Sequence, residues 1–149
     1  MIELNNEQMT RLTGRKQSAL NWLTGQLPVT PHGRRTPRRY TLFDGIVVLV
    51  AQKLQDRGLT IGAAIEVASA ISNHIQPMML DEKLRVYCFI KPADDRPGEF
   101  HFTITSDPAE AFDVLESVPG AMPLNVRTLV TDAMTEILVA SRKAAPHHA

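Results

Sequence analysis

Apolar residues recur at intervals of three and four along most of the chain, and in two places they alternate instead. The first pattern predicts amphipathic helices and the second half-buried strands. Residues Asn5 to Leu12 read as a short helix with Met9 and Leu12 inward. Asn5 or Asn6 caps it, and Glu7 sits in the first turn, where the helix dipole favours an acid. Thr13-Gly14 ends it, since glycine tolerates the left-handed backbone of a tight helix end. A second helix is predicted from Lys16 or Gln17 to Thr24, with Ala19, Leu20 and Leu23 inward and Gly25 as its stop. Thr41-Leu42-Phe43-Asp44 is a variant of the capping box and opens a helix that runs to Arg57. Its inward stripe is Phe43, Ile46, Val47, Val50, Ala51 and Leu54. Gly58 caps its C-terminus, with Leu59 as the hydrophobic follower. Thr60 then caps a fourth helix, about Ile61 to Ile71.

The second half changes period. Ser72 to Lys83 holds Pro77 and a Met78-Met79-Leu80 cluster and reads as a short connector, core or interface filler. Arg85 to Lys91 is rich in β-branched and aromatic residues, and Glu99 to Thr105 alternates with Phe100, Phe102 and Ile104 on the buried face. Joined by a turn over residues 92–98, they predict a hairpin. Asp107-Pro108-Ala109-Glu110 is a helix start with a cap, a proline at the first helical position and an acid at the third. Phe112 and Leu115 are expected to face in, and Pro119-Gly120 breaks the helix. Asn125 caps a last helix with Val126, Leu129, Val130, Ala133, Met134, Ile137 and Leu138 inward. The fold class is therefore α+β: a mainly helical unit over residues 1–72, a connector over 73–84 and a ββαα unit over 85–149.

Composition adds few exclusions. The 149 residues are 44% hydrophobic and 21% charged, the balance of an ordinary globular protein. One cysteine, Cys88, excludes an intramolecular disulfide and suits a reducing compartment. Ile46 to Ala51 is apolar but too short to span a bilayer, and Glu3 and Glu7 stand where a signal peptide wants base. From these features a cytoplasmic protein is expected.

Charge changes the picture more. Net charge is zero over the whole sequence. Yet residues 1–60 hold nine Lys/Arg against four acids, and residues 61–149 hold seven against twelve. A basic head on an acidic body is the footprint of a polyanion-binding unit. Two pieces concentrate it. The second helix offers Arg15, Lys16, Gln17, Ser18 and Asn21 on or beside its outer face. Gln and Asn can pair two-pronged with adenine, and Arg and Lys can reach guanine or phosphate. The segment from Pro31 to Tyr40 carries Arg34, Arg35, Arg38 and Arg39. Pro31, Gly33 and Pro37 make it extended or turned rather than helical. Clustered arginines repel one another unless phosphates offset the repulsion. Trp22 is expected to pack partly on this arm, and Tyr40 to anchor it with its ring inward and its hydroxyl near the surface. The whole reads as a helix-turn-helix followed by a wing.

At this point a resemblance emerges. Leu12-Thr13-Gly14, Leu20, the run Arg38-Arg39-Tyr40-Thr41, Asp44 and the helix end Leu54-Gln55-Asp56-Arg57-Gly58-Leu59-Thr60 resemble the N-terminal domain of the MerR family. Arg38 and Tyr40 match that family's Arg-x-Tyr element. The likeness covers about residues 6–71 and is shared with the small winged-helix excisionases of phages. It implies a two-fold dimer that reads the major groove with its second helix and lays its wings on the phosphate backbone. The family's long coiled-coil helix does not follow here, so dimerisation falls to residues 85–149.

The expected function is sequence-specific binding of double-stranded DNA in transcription regulation, as a homodimer. The alternatives are an architectural, excisionase-like protein that bends DNA and a protein-interaction adaptor without DNA readout. No catalytic, metal or cofactor site is expected. Cys88 and His101 lie on facing predicted strands, but two ligands do not make a zinc site. Asp94, Asp95 and Glu99 lack the order of a calcium loop, and no phosphate-binding glycine loop or nucleophile elbow occurs.

Overall fold

Glu3–Asn5 forms a strand, β1, that pairs antiparallel with β2, Arg39–Thr41, so that Leu4 faces Tyr40. Three-residue strands give no period to read: β2 starts within the segment expected to be extended, and β1 is unexpected. The computed structural model describes residues 2–30, 38–97 and 99–144. Among them are six helices and two small antiparallel sheets, a mixed α+β architecture.

α1 spans Asn6–Thr13. Its cap is reciprocal: the Gln8 N–H donates to Asn5 Oδ1 at 2.9 Å, and the Asn5 N–H donates to Gln8 Oε1 at 2.8 Å. Gly14 follows at φ 70 and donates its N–H to the Thr10 carbonyl. α2, Gln17–Gln26, runs through Gly25 rather than stopping before it. α3, Leu42–Asp56, starts where the Asp44 N–H donates to Thr41 Oγ1. It ends in a Schellman arrangement: with Gly58 at φ 105, the Leu59 N–H reaches the Leu54 carbonyl and the Gly58 N–H the Gln55 carbonyl.

α3 is the centre of the molecule. Every residue from Asp44 to Ala51 is buried, as expected of a helix packed on more than one side. One side takes α4, Ile61–Leu80, and another takes α6, Val126–Ala144. Gly45 lets α6 approach: a Cβ there would lie 2.9 Å from Ile137 Cδ1. Lys53 and Glu136 pair across the same seam at 2.8 Å.

α4 extends nine residues beyond the expected stop at Ile71 and absorbs most of the expected connector. Pro77 lies in its last turn, where the missing N–H frees only one carbonyl. The helix end is held by Arg127 of α6, whose guanidinium donates to the carbonyls of Met78, Asp81 and Leu84. These carbonyls have no partner within the helix, and a cation there also suits the dipole.

β3 (Tyr87–Pro92) pairs with β4 (Phe100–Thr105) as the expected hairpin. On its other side it pairs with β5, Met122–Asn125, an unexpected four-residue strand containing Pro123. Proline is tolerated on such an edge. The order is β4-β3-β5. Cys88 and Ile90 enter the main core, with Phe100, Phe102 and Ile104 packed partly buried against it.

The opposite face of this sheet carries α5, Pro108–Ser117. Asp107 caps it, and Thr105 Oγ1 donates to Glu110 at 2.9 Å while accepting from the Asp107 N–H. These bonds fix the rotation of α5, so Ala111 is the buried residue and Phe112 and Leu115 point outward, 58% and 53% exposed. The expectation that these two face in is corrected on that ground. The last helix begins as expected, with Asn125 Oδ1 accepting from Thr128 N–H. Among the described residues no helix is long and apolar enough to cross a membrane.

Candidate nucleic-acid interface

The positions singled out on α2 and β2 fall into three groups. The first is exposed. Lys16, Gln17 and Ser18 stand at the N-terminal end of α2, with Asn21 half-buried one turn on. Lys16 makes no side-chain cap, so the first N–H groups of α2 keep their positive end open. Gln17 Nε2 donates to Asn21 Oδ1 at 2.9 Å, which orders two amides four residues apart. The helix carries no acidic residue. Its inner side is fixed by Leu20 and Leu23, both fully buried. Each contributes roughly 1.5–3 kcal/mol of burial, enough to determine which face looks out. Trp22 is 50% exposed beside Asn21.

The second group is engaged by the protein itself. Arg15 lies in the turn before α2. Its Nε–H donates to Gln52 Oε1 at 2.6 Å and its Nη2 to Gln55, both on α3. Gln52 in turn donates to Asp56 Oδ1. Arg15 therefore ties the turn to the central helix. Tyr40 is fully buried, ring and hydroxyl alike. Its ring packs inward as expected, but its hydroxyl does not reach the surface. That hydroxyl lies beside Arg38 and Thr24 without a hydrogen bond of full geometry, and burial pushes its pKa above the usual phenol value against the opposing pull of Arg38.

The third group is the basic segment. Arg38 is half-buried and donates from Nη1 to Thr24 Oγ1 at 3.4 Å, a link between this segment and the C-terminal end of α2. Arg39 is exposed on β2 and lies 4.0 Å from Glu3 across the sheet, a solvated pair of small energetic weight. Arg34 and Arg35 lie outside the described residues, as does the rest of 31–37. On its near side Leu27 and Val29, just after α2, are buried in the core, and on its far side Arg38 leads into β2.

The remaining candidates separate. Cys88 sits on the core face of β3, opposite Ile104, and burial pushes its thiol up to about 12. His101 pairs with Lys91 in the same hairpin and is exposed on the other face. The two strands do face one another, yet the two side chains do not share a side. Among the described residues no three His, Cys, Asp or Glu side chains group as a metal site. Met78 is buried and Met79 is half exposed at the end of α4.

No protein-family model matches the chain, and no curated protein is similar to it at a significant level.

Proposed function

We propose that the chain is a sequence-specific double-stranded DNA-binding regulator of transcription, acting as a homodimer with a MerR-like winged helix-turn-helix head. α1, the Gly14 turn and α2 form the helix-turn-helix, and residues 31–41 form the wing. α2 enters the major groove, and Lys16, Arg34, Arg35, Arg38 and Arg39 lie along the phosphates. The observation that carries this reading is the outward face of α2: ordered amides, an open helix N-terminus and no acid, tied through Arg38 and Thr24 to an arginine-bearing segment. Within the Gln17–Asn21 pair, Gln17 Oε1 remains free as an acceptor and Asn21 Nδ2 as a donor. Adenine offers the complementary N6 amino group and N7 in the major groove. Phosphate contacts set position, and these amides read sequence.

The second copy joins through the C-terminal half. β4 is at the edge of its sheet, with a row of backbone groups that a second β4 can pair across a two-fold axis.

Selection of binding sites from a randomised duplex tests the reading. A defined, inverted-repeat site is expected. Gln17→Ala or Asn21→Ala should relax preference at one or two positions, whereas Arg39→Ala should weaken binding to every sequence alike. Enrichment of no site, together with no effect of Gln17→Ala, would count against sequence readout.

A further inference from the structure

The reversed face of α5 is unexplained by DNA binding. Phe112 and Leu115 are three residues apart on one helix and together form an exposed apolar stripe. Large apolar side chains held outward by a fixed helix mark a contact surface more often than scattered ones do. The stripe is not the accidental edge of a loose helix. Asp107, Thr105 and Glu110 lock its rotation, and Ala111 seats it on the sheet.

The stretch of sequence that carries it has one sign. Between Arg96 and Arg127 the sequence holds five acids, Glu99, Asp107, Glu110, Asp113 and Glu116, and no lysine or arginine. Asp113 and Glu116 are exposed on the same helix, each one residue from Phe112 or Leu115. An apolar stripe rimmed by carboxylates attracts a partner with apolar anchors between cations and repels acidic ones. A second copy of this chain is a poor occupant, because a two-fold axis through α5 sets one acidic rim against another. Nucleic acid is repelled for the same reason.

We propose that the Phe112–Leu115 face of α5 is a docking surface for another protein that presents a basic amphipathic helix. Apolar side chains of that helix cover Phe112 and Leu115, and its lysines or arginines meet Asp113 and Glu116. This surface is separate from the α2 head and does not depend on the DNA-binding reading.

The test uses the full chain and a fluorescent helical peptide with leucines spaced three and four apart and lysines between them. The same peptide with glutamate for lysine, and one with serine for leucine, serve as comparisons. Anisotropy should show saturable binding of the leucine–lysine peptide alone. Phe112→Ser with Leu115→Ser should weaken it about tenfold or more, as should Asp113→Lys with Glu116→Lys. All four residues are exposed, so unchanged circular dichroism is expected. Equal binding by wild type and both double variants would overturn the proposal, as would equal binding of the serine peptide. So would a wild-type dimer in sedimentation that Phe112→Ser with Leu115→Ser converts to monomer, since the face would then join two copies.

Discussion

Arg15 and Arg38 carry the same charge, and the fold gives them different tasks. Arg15 sits where a helix-turn-helix can present a phosphate contact, yet its guanidinium is taken up by Gln52 and Gln55. Its removal should act on stability first. Arg15→Ala is expected to cost about 1–2 kcal/mol in chemical denaturation, from lost charged hydrogen bonds that are partly solvated. Lys16→Ala, one position on and fully outward, should leave the midpoint within the scatter of surface substitutions. Equal effects of the two would show that the Arg15 contacts hold nothing. The sequence reads Arg15 as lying on or beside the outer face of α2, whereas its guanidinium turns to α3, and no local pattern names partners 37 and 40 residues away. Tyr40 teaches the same point. Its aromatic ring announced an anchor, while its hydroxyl lies beside Thr24 at the end of α2, a neighbour that no local pattern names.

At the scale of elements, what was legible had a local cause. The caps at Asn5, Thr41, Thr60, Asp107 and Asn125 all accept the expected backbone N–H groups. The Gly58-Leu59 step closes α3 as its sequence suggests. What was illegible had a distant cause. α4 runs past Pro77 to Leu80, where Arg127, almost fifty residues later, donates to the Met78 carbonyl and to the turn that follows. α5 had two apolar stripes to choose from, and hydrogen bonds from Thr105, outside the helix, selected the one led by Ala111 over the bulkier Phe112 and Leu115. Arg127→Met keeps the apolar stem of the side chain and removes the donors. It is expected to destabilise the protein by about 2 kcal/mol, the scale of losing charge-assisted hydrogen bonds to partly buried carbonyls. Hydrogen exchange should show the loss concentrated in the amides of the last turn of α4 and the loop to Leu84. Uniform loss across α3 and α6 would instead mean that Arg127 acts through general packing.

For the whole molecule, the charge division and the packing must be read together. The basic head and the acidic remainder share one continuous core: α6, from the acidic half, rests on α3 through Gly45 and Ile137. The central claim remains the one about DNA. Titration of a labelled random-sequence duplex, repeated across salt concentrations, tests it most directly. On the proposed reading each protomer of the dimer makes five phosphate contacts, from Lys16, Arg34, Arg35, Arg38 and Arg39, so the logarithm of affinity should fall against the logarithm of salt with a slope of about −9. Arg34→Ala or Arg39→Ala removes one contact from each protomer and should flatten that slope by about two. Absence of binding at low salt, or an affinity indifferent to salt and to both substitutions, would contradict the account.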